Sequence, residues 1–216
     1  MNPWPAVPRP TYLTVVGVLG LVLLAALVQP GAGIPPFVAR VAQLGLAGGA
    51  AYLLDDAAAQ LTTVTPPGWW RRRAPGLVVG GTLLVAAWLG LLLVLAWQDS
   101  RPPVLTATVE LLVLSLAAMA AAAVLVRRGD PEPGVLVAPA IVLIGLTAVI
   151  AESVLRTTIL LPWDEAGPGR GIATVWAGAG LLATGVLLLA SRDPATRFTS
   201  LWVRSPRRRS TDSGST

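Results

Sequence analysis

The sequence predicts an all-α, polytopic integral membrane protein with six transmembrane helices and both termini cytoplasmic, and three observations predict it. Of 216 residues, 54% are hydrophobic and only 12% are charged, against roughly 25% charged residues in soluble domains, and the mean hydropathy is +0.70. The apolar residues gather into six runs of roughly 17 to 23 residues, each long enough to cross a hydrocarbon core of about 30 Å. The arginines cluster in alternate connections between those runs, on the side that the positive-inside rule assigns to the cytoplasm. Lipid therefore solvates most of the chain, and no separate soluble domain fits beside the membrane domain. The lipid bilayer is its first partner.

Taken in order, residues 1–11 (MNPWPAVPRPT) hold four prolines and one Trp. Proline lacks the N–H that a helix interior needs, so this is a Pro-rich interfacial N-terminus. It has neither the charge nor the small-residue cleavage pattern of a signal peptide, so the first run is expected to stay in the mature protein. The spans are expected at 12–28, 37–54, 77–97, 104–126, 135–155 and 171–190, within one transmembrane domain over 12–191. Proline-rich punctuation at 29–36, 66–68, 102–103, 131–133 and 162–168 separates them, as expected of residues that stop helices. Pro139 is expected to kink the fifth span. Residues 157–163 are apolar but too short to span, and either extend the fifth helix or form a re-entrant turn on the outer side. The tail over 192–216 is basic and then Ser/Thr-rich. Its Arg207, Arg208 and Arg209 are expected on anionic headgroups, with the last residues disordered.

Orientation follows from the arginines. With the N-terminus inside, twelve of the sixteen fall in inner segments: Arg9; Arg71 to Arg73; Arg127 and Arg128; and six after the last span. Arg40, Arg101, Arg156 and Arg170 fall on or near the outer side. An even number of spans returns the C-terminus to the cytoplasm. The setting this implies is a cell membrane with its arginine-rich face toward the cytoplasm.

The residue inventory excludes several kinds of chemistry. There is no Cys and no His, so thiol catalysis, disulfides, Cys/His metal sites and Ser-His-Asp arrangements are ruled out. All basic residues are Arg, without a single Lys, and a phosphate-cradling Walker loop needs its lysine. The chain is therefore expected not to be an enzyme, and to need no cofactor and no metal. A pI near 11.2 would suit nucleic acid, but the arginines sit beside hydrophobic ends and form no soluble basic face, so no nucleic-acid partner is expected.

Two groups of residues are candidates for function. The first lies in the outer third of the spans: Arg40, Gln43, Glu110, Glu152 and Arg156, the last two spaced as an i, i+4 pair. An intramembrane charge costs at least about 2.5 kcal/mol on insertion scales, so partners or a watery cavity are expected. One reading is a polar cleft that opens outward and handles a substrate or a proton; the other is a structural ion pair between Arg40 and Glu110, or Arg40 reaching the interface. The second group lies in the longest polar interruption, AYLLDDAAAQLTTVTPPGWWRRR from Ala51 to Arg73. Asp55, Asp56, Arg71, Arg72 and Arg73 form the most exposed inner surface that a soluble partner could push against. Small residues four apart, Gly45 and Gly49, Gly76 and Gly80, Gly180 and Thr184, mark faces where helix backbones can approach closely in lipid.

That interruption, together with RRGDPEPGVLVAPA before the fifth span and ASRDPATR after the sixth, resembles the small six-span, permease-like subunits of actinobacterial ATP-binding-cassette exporters. The resemblance runs from about Leu44 to Arg197 and rests on short, non-catalytic patches. It implies a separate ATPase chain that moves the Asp55 to Arg73 segment, a homodimer or hetero-oligomer, and a short outer element between the last two spans. In place of the amphipathic N-terminal helix of such exporters stands the proline-rich strip. The alternatives are a structural or assembly subunit of a membrane complex, and a small secondary transporter, which would need internal repeats and a broken helix; no convincing repeat of three spans is visible.

Overall fold

The computed structural model describes residues 13–20, 35–55, 69–97, 104–155 and 170–191, and among these there is no strand. Helical residues 13–20 form α1. They are followed by α2 (Pro36–Gly49), which tightens into a 3-10 segment (Ala50–Leu54), then α3 (Trp69–Trp97), α4 (Val104–Arg127), α5 (Gly134–Leu155) and α6 (Arg170–Ala190). Among the described residues, five stretches are long and apolar enough to cross a membrane: Pro36–Leu54, Gly76–Trp97, Val104–Arg127, Gly134–Glu152 and Ile172–Ala190. They match the second to sixth expected spans to within a few residues. The first expected span is described only over 13–20, and the N-terminal strip, residues 157–163 and the tail lie outside the described residues.

Two boundaries differ from expectation. Helix α3 begins at Trp69, not at 77, so the backbone of Arg71, Arg72 and Arg73 is helical. Arginine is a good helix former, and a helix leaving hydrocarbon has no reason to break at the boundary. The second span changes to 3-10 geometry over its last five residues, where the rise per residue is about 2.0 Å instead of 1.5 Å. Helix α5 runs unbroken through Pro139, whose ring is exposed.

Helix α2 is the centre of the bundle. One face meets α1, where a Cβ added at Gly45 would come within 2.7 Å of Val18, and one added at Gly49 within 3.2 Å of Thr14. The neighbouring face meets α5: a Cβ at Gly48 would approach the Ala138 carbonyl at 3.0 Å, and one at Gly145 would collide with the Leu44 methyls. The remaining surface packs on α3 and α4 through Ala39, Ala42, Leu46, Trp88, Leu91 and Ala107. At the other end of the bundle, the 3-10 segment seats Ala51 and Leu54 among Ala118, Ala122 and Val137. Helix α6 packs along α4, with Gly180 facing Val113. Gly76, by contrast, faces open space.

The α4–α5 connection is tight. Gly129, at φ 96°, ends α4 with the paired bonds Gly129 N to Val126 O and Asp130 N to Leu125 O, the Schellman pattern in which glycine avoids the Cβ penalty. Five residues after Arg128, Pro133 leads into α5, so the C-terminus of α4 and the N-terminus of α5 lie at the same end of the bundle.

Candidate functional site

The polar residues of the spans converge on α2. Helices α2 and α5 run antiparallel: the contacts Gly48 to Ala138 and Leu44 to Gly145 step in opposite directions along the two. The first turn of α2 therefore meets the last turn of α5. There the Arg40 Nη1 donates to Glu152 Oε2 at 2.9 Å, with the two side chains 11% and 19% exposed. A pair with Glu110 is one expectation for Arg40, reaching the interface another, and a cleft that also includes Glu152 a third. The ion pair observed ties α2 to α5 through Glu152, because helix register, which sequence spacing does not reveal, decides which carboxylate arrives. Arg156, the expected local partner of Glu152, lies outside the described residues.

One turn further along α2, Gln43 is 1% exposed, and its Nε2 donates to the Ala107 carbonyl of α4 at 3.0 Å. That bond fixes the amide's orientation, since only the nitrogen can donate to a carbonyl. The buried Gln43 Oε1 has no hydrogen-bond partner among the described residues. Glu110, one turn beyond Ala107 on α4, is 2% exposed and engaged within the protein. Arg40, Gln43 and Glu152 thus form a polar seam from α2 to α4 and α5, with Glu110 buried on α4 one turn from the Ala107 carbonyl that Gln43 meets. What was read as an outward-opening cleft is nearly closed, its residual exposure confined to the Arg40–Glu152 end. A further polar contact is absent from the sequence-based expectation. Trp88 Nε1 of α3 donates to Thr108 Oγ1 of α4 at 3.2 Å, while Thr108 Oγ1 donates to the Val104 carbonyl at 2.6 Å. The signal available was a Trp in mid-run, remote from the interfacial belts where Trp collects.

The opposite end of the seam is held by Asp55. Its Oδ1 accepts from the backbone N–H of Gly134 at 2.8 Å. That N–H is the first of α5 and has no partner inside its own helix, and a carboxylate there also faces the positive end of the helix dipole. Asp55 follows directly on the 3-10 segment in extended conformation, which lets it reach the neighbouring helix. The residue expected as part of a coupling surface is thus a cap on α5. Close approach makes this possible: a Cβ on Gly134 would collide with the Tyr52 ring and lie 2.9 Å from the Tyr52 Cα. Asp56 lies outside the described residues, and of Arg71, Arg72 and Arg73 the backbone alone is described.

Between α3 and α4 lies a lateral fissure of about 460 Å³ with α2 and the 3-10 segment as its floor, at Leu46, Ala50 and Leu53. Its walls are apolar except for Thr108, Ser115 and the Trp88 nitrogen. No known protein family, characterised protein or solved structure matches the chain. What the fold and seam define is a class: an α-helical membrane protein, several of whose spans are organised around a short, polar central helix.

Proposed function

We propose that the protein is a non-catalytic transmembrane subunit of a transport assembly in a bacterial cell membrane. In this reading it has six spans and both termini in the cytoplasm. It acts as the permease of an ATP-binding-cassette exporter, with nucleotide hydrolysed by a separate ATPase chain. The observation that carries the reading is the α3–α4 fissure. The two helices pack on α2 but not along each other, leaving an apolar path from the lipid side to the central helix. Such a path suits an apolar or amphiphilic substrate. A chain without lysine has no Walker loop to power its own movement, which supports an external ATPase. The helical backbone of Arg71 to Arg73 at the start of α3 gives that partner a stiff lever on one wall of the fissure.

The test is purification of the tagged full chain in mild detergent. An ATPase that copurifies, and is lost when Arg71, Arg72 and Arg73 are all replaced by Ala, supports the permease. Asp55 is unsuitable for this purpose because it caps α5. A second reading, a structural or assembly subunit, is favoured by the closed, ion-paired seam. A chain that captures other integral membrane proteins but no ATPase would select it.

A further inference from the structure

We propose that the crevice between the Arg127 end of α4 and the last turn of α6 is a binding site for an anionic phospholipid. Its phosphate would sit on Arg127 and Arg128, and one acyl chain against Val124, Val186 and Leu189. The crevice measures about 280 Å³ and is lined by Val124, Arg127, Arg128, Val186, Leu189 and Ala190. Its level in the bilayer is set by the spans themselves, which end at Arg127 in α4 and at Ala190 in α6. Two guanidinium groups therefore stand where headgroup phosphates lie, directly above an apolar trough. A free anion has no use for the trough, and a neutral lipid has none for the arginines, so the chemistry that fits both is an anionic amphiphile. Basic pockets between helices at the cytoplasmic surface are suited to such headgroups.

The site is built in advance. Arg127 Nη1 donates to the Leu189 carbonyl at 2.9 Å, one of the acceptors left open at the end of α6, which holds the guanidinium across the crevice mouth. Arginine carries five donors, so the others remain for a phosphate, which it can bind in a bidentate manner. Arg128 is exposed beside it, at the residue where the Gly129 turn ends α4. At this end of the bundle two carboxylates accept from backbone: Asp130 Oδ1 from Glu132 N at 3.0 Å, and Asp55 Oδ1 from Gly134 N. Glu132 lies exposed in the turn. The leaflet concerned is cytoplasmic under the orientation proposed above, but the site needs only membrane embedding and stands without an ATPase partner.

Native mass spectrometry of the full chain, released from bilayers of phosphatidylcholine with phosphatidylglycerol, tests the assignment. The parent should retain phosphatidylglycerol in preference to phosphatidylcholine. Arg128→Gln should lower that preference about fivefold, as expected for one charge near the surface. Val186→Trp should lower it at least as far by filling the trough while keeping both arginines, with Val186→Phe replacing it if the larger ring unfolds the chain. An unchanged preference in Arg128→Gln would overturn the headgroup assignment. An unchanged preference in the Val186 variant would reduce the effect to diffuse surface attraction and overturn the crevice. Displacement of the lipid by millimolar inorganic phosphate would instead mark a free-anion site and overturn the proposal as well.

Discussion

Helices α2 and α6 show opposite relations between hydrophobicity and burial. The α2 span, Pro36–Leu54, is the least apolar of the five, with a mean hydropathy of 1.4, and 67% of it is buried; Ile172–Ala190 in α6 reaches 2.0 with 6% buried. In water the more apolar helix would hold the centre. In lipid, an alkyl side chain gains nothing by leaving the acyl tails, so packing is decided by small residues that admit close backbones and by polar groups that need partners. Helix α2 has both: Ala39, Ala42, Gly45, Gly48 and Gly49 on its surface, with Arg40, Gln43 and, past the 3-10 segment, Asp55 bonded to other helices. Helix α6 offers α4 its Gly180 and presents Val175, Leu181, Leu182 and Leu188 outward. The small and polar residues of α2 together are therefore what makes it central.

Substitutions can break this contrast. The largest effect is expected at Gly134, where an added Cβ would come closest to another segment's backbone. Gly134→Ala should destabilise the chain by about 3 kcal/mol in a denaturant titration from bicelles, the upper range for overpacking. Gly185→Ala in α6, where an added Cβ meets nothing within 4 Å, should be neutral or slightly stabilising through helix propensity. Equal effects at the two sites would erase the distinction between centre and periphery.

The ion pair comes next. Arg40→Leu alone should cost about 3 kcal/mol, because it removes the guanidinium that Glu152 meets at low dielectric. The double variant Arg40→Leu with Glu152→Leu should recover most of that loss. A folded double variant that no longer supports transport would move the pair from structure to mechanism. A double variant as unstable as the sum of the singles would show that the bond at 2.9 Å contributes no coupling.

Smaller changes sharpen the picture. Gln43→Leu removes one hydrogen bond together with a buried acceptor that has no partner among the described residues; the two contributions oppose each other, so the net change should stay within about 1 kcal/mol. A much larger loss would mean that the amide oxygen meets a donor in the working protein. Trp88→Phe removes the bond to Thr108 and should cost about 0.6 kcal/mol, the average for interhelical hydrogen bonds in membranes. The same variant should widen the α3–α4 fissure, detectable as faster uptake of a hydrophobic fluorophore.

Much of the fold was legible in the residues, and the legible part is local. Spans over 104–126 and 171–190 were readable to within a residue or two because each is an apolar run bounded by proline or charge. Helix α3 starts at Trp69, ahead of the span at Gly76–Trp97 that matches the expectation, because Arg71 to Arg73 have good helix propensity while being polar enough to suggest a link. Of the candidate site, the structure brings Arg40 to Glu152 and buries Gln43 and Glu110. The pairing was not readable, since Arg40 meets a residue 112 positions away. Asp55 was noticed as a carboxylate at the end of a span, but its use as a cap on α5 depends on a helix that begins 79 positions later.

By itself, the sequence determined the solvent of this protein, the lengths of most of its spans and the absence of thiol, imidazole and lysine chemistry, because these depend only on which side chains are present and how they are spaced. Tertiary structure alone decided that the least apolar span stands at the centre, that Glu152 neutralises Arg40, and that Asp55 completes α5. Those outcomes depend on the register and rotation of helices packed through glycine contacts, which are set by close approach between distant parts of the chain and leave no periodic mark within any one helix.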